Sequence, residues 1–130
     1  MPTVLLTLSE NASIDPSTGG DVIRRAVARG MECEEMGLDE THISIRLSKG
    51  HRAHMLGDLE IEVFGQVYES RLGDRDARAN RIAQEVCDEL GVECACWINL
   101  GMVGYSRVTT TGEEFFSSGT VFTGQDSNDA

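Results

Sequence analysis

Residues 58–100 read DLEIEVFGQVYESRLGDRDARANRIAQEVCDELGVECACWINL, and the changes of period within them decide the fold. Leu59, Ile61, Val63 and Val67 fall on alternate positions, the pattern of a strand with one apolar face. From Asp74 the period lengthens: Ala79, Ile82, Val86 and Leu90 are at helical spacing, and Gly91 is placed to stop the helix. Val92, Cys94, Cys96, Ile98 and Leu100 then return to period two. Strand, helix and strand in succession make a βαβ unit, whose right-handed crossover sets the strands parallel.

The same order occurs earlier in the chain. Thr3–Leu8 reads as a strand, and Asp15 with Pro16 looks like a helix start, Asp as cap and Pro at the first helical position. Val22, Ile23, Ala26, Val27 and later Met36 fit one helical face, although Gly19, Gly20 and Gly30 lower the helix propensity. THISIRLSKG (41–50) alternates, with Ile43, Ile45 and Leu47 opposed to His42, Ser44 and Arg46. The expected class is α+β: two β-α-β units forming a four-stranded sheet with two helices on one face. A single domain at 1–116 would hold two pseudo-repeats, 2–57 and 58–116, followed by a small, polar, acidic tail at 117–130. The sheet face away from the helices carries His42, Arg46, Glu60, Glu62, Phe64, Trp97 and Asn99. Being half polar, it is either wet or used in assembly.

Charge narrows the partners. Twenty-two acidic against eleven basic residues leave a net charge of −11, and Lys49 is the sole lysine. A phosphate backbone would be repelled, so no nucleic acid and no anionic membrane is expected as a partner. Excess acid with scarce lysine also suits a high-salt cytoplasm, where screening relieves self-repulsion. The apolar run Val4–Leu8 is too short for a signal peptide or a membrane span, so the expected location is cytoplasmic. A small anionic ligand would need a few arginines gathered into a pocket.

Cys33, Cys87, Cys94 and Cys96 form no C-x-x-C pair, and His42, His51 and His54 are not at zinc-finger spacing. They read as reduced thiols packed as small hydrophobes, with no metal. A thiol or metal site at Cys94 and Cys96 is the minority alternative.

Pro2 has two readings. It is either the first residue of a strand, where a missing N–H costs little, or, once Met1 is removed, a secondary amine at a fixed place. Its surroundings give the second reading weight. GLDETHISIRLSKGH followed by LGDLE, then YESRLGDRDARANRIAQEV, then YSRVTTTGEEFFSSGT resemble, in that order, segments of the tautomerase superfamily. That group contains 4-oxalocrotonate tautomerase, macrophage migration inhibitory factor and malonate semialdehyde decarboxylase. The resemblance covers Pro2 to about Phe116. It implies a homotrimer with sites near subunit boundaries, no cofactor, and a small anionic oxo-acid substrate. It further implies Pro2 as the catalytic amine, Arg71 as the carboxylate anchor, Arg75 as a second arginine and Tyr105 as a pocket aromatic. The reaction implied is keto–enol proton transfer. Malonate semialdehyde decarboxylase or hydratase-like activity is the alternative within the family, and a non-catalytic trimeric scaffold is the alternative outside catalysis. Two departures favour the scaffold: SENASIDPS holds no arginine, and Thr41 stands where decarboxylase members keep an aspartate, with Asp39 and Glu40 beside it.

Overall fold

The structure is a computed structural model and describes residues 2–116 and 121–122. Its main sheet contains β1 (Thr3–Leu8), β2 (Ser44–Lys49), β3 (Leu59–Gln66) and β4 (Cys94–Gly101), in the order β2-β1-β3-β4. β1 runs parallel to β2 and β3 parallel to β4, while β1 and β3 meet antiparallel in the middle. Two long helices, α1 (Thr18–Met31) and α3 (Arg75–Leu90), pack on one face; a single turn, α2 (Glu69–Leu72), precedes α3. The α+β arrangement expected from the two periodic halves is therefore present. A smaller sheet of β5 (Ser106–Val108), β6 (Glu114–Phe116) and β7 (Val121–Phe122) follows. The expected polar tail, apart from Val121 and Phe122, lies outside the described residues.

Alternation explains the core. Val4 and Leu6 of β1 stand beside Val63 and Ile61 of β3, and all four are buried beneath the helices. Ile23, Ala26, Val27 and Met31 of α1 and Ile82 and Val86 of α3 complete one continuous apolar cluster. Each of the valine, leucine, isoleucine and methionine side chains among them contributes about 1.5–3 kcal/mol through removal from water. Gly30 lets the helices close on each other, because a Cβ there would overlap Ile82 Cγ1 and lie 2.7 Å from its Cδ1. The glycine that weakens the helix pattern in sequence is thus a packing residue. Gly91 ends α3 in the left-handed region, φ 68°, and its N–H donates to Cys87 O at 2.8 Å.

Three local expectations are corrected. α1 begins at Thr18, not Pro16, because Asp15 Oδ1 accepts from Ser17 N at 2.9 Å and from Ser17 Oγ at 2.8 Å, which favours a turn first. Met36 is outside α1; the helix ends at Met31, and Cys33 and Met36 exchange N–H···O bonds of 3.1 Å in a tight turn. His42 is not on β2. It belongs to a 3₁₀ turn, Glu40–His42, in which its Nδ1 accepts from Asp39 N while Asp39 accepts from Thr41 N. A capping box outcompeted strand extension there. The remaining polar-face residues, Arg46, Glu60, Glu62, Phe64, Trp97 and Asn99, do lie on the side away from the helices, as the register requires.

Candidate functional site

The antiparallel pairing Thr3↔Phe64, carried one residue further, brings Pro2 beside Gly65, and Gly65 pairs with Leu100 on its other side. Pro2 has the parity of Val4 and Leu6, so it belongs to the helix-facing row, and it is buried. Its carbonyl accepts from Ser44 N at 3.4 Å, which fixes the chain start against β2. Gly65 leaves an opening in that row. A Cβ at Gly65 would lie 2.8 Å from Met31 Cε and 3.5 Å from Arg71 Nη1, so the Arg71 guanidinium stands over the glycine. Glycine inside a strand pattern is the signal for such a close approach.

Arg71 is 1% exposed. The α2 turn aims it inward, where Nε donates to Met31 O at 2.8 Å and Nη1 to Gln66 O at 2.8 Å. The guanidinium carbon lies 4.9 Å from the Tyr68 ring centroid, a cation–π contact. Nη2 has no hydrogen-bond partner among the described residues. Burial lowers the Arg71 pKa, and neighbouring Cys33 and Tyr68 oppose that shift. Arginine stays cationic nonetheless. The result is a buried positive charge over Gly65, held by carbonyls, with one nitrogen unpaired among the described residues.

The other expected site residues lie further off. Arg75 lines a depression of about 520 Å³ with Leu72, Asp74, Asp76 and Ile98, on the β4 side of the sheet, and its Nε donates to Leu72 O at 3.2 Å. β3 lies between β1, which Pro2 precedes, and β4, and neither Pro2 nor Arg71 lines the depression that Arg75 lines. Tyr105 is half-buried and follows Val103, whose N–H donates to Gln66 Oε1 at 2.9 Å. Gln66 thereby holds the segment leading to Tyr105 with its side-chain amide oxygen and Arg71 with its backbone carbonyl. Arg78 is spent on structure: Nη1 donates to Gly30 O at 2.9 Å and Glu32 O at 2.7 Å, and Nε pairs with Asp74 at 2.7 Å.

A cavity of about 440 Å³ runs between α1 and β2, lined by Leu6, Ile14, Arg24, Ile43, Ile45 and Leu47 among others, and Pro2 is not in its wall. Cys94 and Cys96 face the helices, and burial pushes both thiols up to about 12. They remain protonated at neutral pH. Among the described residues no group of three or more His, Cys, Asp or Glu side chains is placed to hold a metal ion. Among them, too, no helix is long and apolar enough to cross a membrane. Sequence reading missed Gly65, Met31, Tyr68 and Gln66; of these only Gly65 carried a signal.

No protein-family model and no curated protein matches the chain. Solved structures do. The chain is similar to malonate semialdehyde decarboxylase, at 7% identity and TM-score 0.56 over 77% of this chain and 84% of that one. It is similar to Pt0534 inactivated by 2-oxo-3-pentynoate, at 14% identity and TM-score 0.52 over 77% and 85%. A macrophage migration inhibitory factor-like protein from Entamoeba histolytica aligns at 14% identity and TM-score 0.50 over 78% and 88%. What these proteins share with the chain is the paired parallel strands joined antiparallel at the centre, with two helices on one side. The chain has the tautomerase-superfamily fold.

Proposed function

We propose that the protein catalyses keto–enol proton transfer on an oxo- or enol-carboxylate, with Pro2, freed by removal of Met1, as the general base. The observations that support this are a buried Pro2, which the β1–β3 register brings opposite Gly65, and the Arg71 guanidinium packed over that same glycine. A secondary amine at a chain start titrates near 8 or below, and burial and a neighbouring positive charge both disfavour its protonated form. The neutral amine takes a proton from the carbon next to the substrate carbonyl and returns it at the other end of the enol system. Arg71 Nη2 is the donor for the developing oxyanion or the carboxylate. Arg75 and Tyr105 act as further substrate contacts, completed across a subunit boundary of a homotrimer. A fused 4-OT of 14% identity and TM-score 0.50 is an asymmetric trimer, which supports that assembly. So does the open sheet face, where Phe64 and Trp97 are 43% and 38% exposed.

The solved decarboxylase was studied as wild type, as a proline-to-alanine mutant and in inactivated form, as a basis for decarboxylase and hydratase activities. A cationic Pro2 in this chain would serve that chemistry instead, and it is the alternative reaction at the same site. The scaffold reading draws on a different fact: two of the three Arg71 nitrogens are already bonded to carbonyls.

The test has two stages. Intact mass of natively expressed protein is expected to lack Met1. Phenylpyruvate ketonisation is then expected to fall about a hundredfold or more in Pro2→Ala, with kcat/KM rising with pH and levelling off below about 8. A retained Met1, or turnover unchanged in Pro2→Ala, overturns the amine mechanism.

A further inference from the structure

The cavity of about 440 Å³ between α1 and β2 shares no residue with the Pro2 site. Its origin lies in two glycines of one helix. At Gly30 a Cβ would overlap Ile82, so α1 closes tightly on α3. At Gly20, near the other end of α1, a Cβ would meet no atom within 4 Å, and this glycine lines the cavity. The apolar row of the sheet continues beneath it. Leu6 and Ile43 are buried there, while Leu47, on the edge strand β2, is 60% exposed. Protein interiors are otherwise close-packed, and apolar clefts of about 300–1,000 Å³ with a few polar groups are the usual form of a small-molecule site.

The second observation is Arg24, which with Asp21 supplies the charged part of the lining. Its Nε donates to Ile43 O at 3.2 Å, which ties the guanidinium to the cavity wall. Nη1 lies 3.7 Å from Asp21 Oδ1, beyond hydrogen-bond length, and neither terminal nitrogen of Arg24 makes a hydrogen bond among the described residues. The fork is therefore held at its root and open at its tip. Asp21 is 60% exposed against 34% for Arg24, so water screens the aspartate more strongly than the arginine. An apolar wall with an open guanidinium at its rim is complementary to an apolar chain that ends in a carboxylate.

We propose that this cavity binds a medium-length aliphatic carboxylate, with the carboxylate on the two terminal nitrogens of Arg24 and the chain laid along Leu6, Ile14, Ile45 and Leu47 in the space over Gly20. A guanidinium offers a carboxylate two parallel N–H bonds. Each methylene moved from water to the apolar wall strengthens binding about fourfold. The site uses neither Pro2 nor Arg71, so the proposal does not depend on the Pro2 reaction.

Calorimetric titration of the full chain with sodium octanoate tests it. Octanoate is expected to saturate a single site per chain, and hexanoate to bind about tenfold more weakly because two methylenes are missing. Octan-1-ol, which lacks the charge, is expected to bind about tenfold more weakly than octanoate. Arg24→Gln is expected to weaken octanoate about tenfold and to leave octan-1-ol unchanged. Gly20→Leu fills the space and is expected to abolish octanoate binding. That variant is expected to fold, since a Cβ there meets no atom within 4 Å and leucine is the better helix former. No saturable octanoate binding, octan-1-ol binding as tight as octanoate, or octanoate binding unmoved in Gly20→Leu overturns the proposal. So does a change of oligomeric state in Gly20→Leu, measured by sedimentation, because a second copy of the chain would then be what fills the cavity.

Discussion

The two ends of the central β1–β3 pair each hold an arginine, and the two are satisfied in opposite ways. At the Ser9 end, Arg52 is neutralised: Nε lies 3.3 Å from Asp58, Nη2 lies 3.0 Å from Glu93, and Nη1 donates to Met55 O at 2.8 Å. Its side chain is 35% exposed, so water shares the work. At the Pro2 end, Arg71 is buried, donates to two backbone carbonyls, lies over an aromatic ring, and keeps Nη2 unpaired among the described residues. A neutralised arginine at a surface corner is architecture. A buried arginine without a carboxylate is a standing positive charge in the core, and such a charge is tolerated where it has an anion or a titrating neighbour to act on. That contrast, more than any motif, separates a candidate site from a structural corner.

The contrast can be broken experimentally, and Arg71→Gln is the largest step. It leaves Met31 O and Gln66 O without their charged donor, so a loss of about 3 kcal/mol is expected in urea unfolding. Gly65→Ala comes next. Its new methyl must displace Met31 Cε, 2.8 Å away, while Arg71 Nη1 at 3.5 Å is an ordinary contact. A cost of about 1–2 kcal/mol is expected by the same assay, with the Pro2 reaction, if present, losing kcat rather than substrate affinity. Arg52→Gln should cost only about 1 kcal/mol, since its ion pairs are partly solvated and screened. If Arg52→Gln proved as destabilising as Arg71→Gln, the distinction between the two ends would be wrong.

The smallest expected effect is acid loosening at both ends. The Arg52 N–H and His51 hold the Glu10 carboxyl below the usual range, and Ser70 does the same for Glu35. A carboxyl depressed in the folded state adds stability that is present at neutral pH and lost as pH falls through its folded pKa. Amide protection at Arg52 and Ser70 is therefore expected to decline below about pH 4. Protection unchanged at pH 3 would show that neither carboxylate holds its loop.

Much of the fold was legible because it rests on local repetition. Period two in Leu59–Val63 and Cys94–Leu100, period 3.6 in Ala79–Leu90 and a glycine at position 91 each act within a few residues. Where a local hydrogen bond competed with the pattern, reading failed by a few residues. The Asp15–Ser17 turn delayed α1, and the Asp39 capping box took His42 off the sheet.

The candidate site was legible only in part. Pro2 and Arg71 could be named from their places in the sequence, but that Pro2 comes opposite Gly65, the glycine under Arg71, depends on an antiparallel register between strands some sixty residues apart, as in Thr3↔Phe64. Sequence by itself determined which faces were apolar and therefore which segments became strands and helices. Tertiary structure alone decided that Arg71 faces inward to carbonyls and Arg78 clamps the end of α1, while Arg75 lies in another opening. The physical reason is that a guanidinium has the same local pattern whether it is solvated, stapling a helix end or waiting on an anion. Only the groups brought to it from elsewhere in the chain tell these apart.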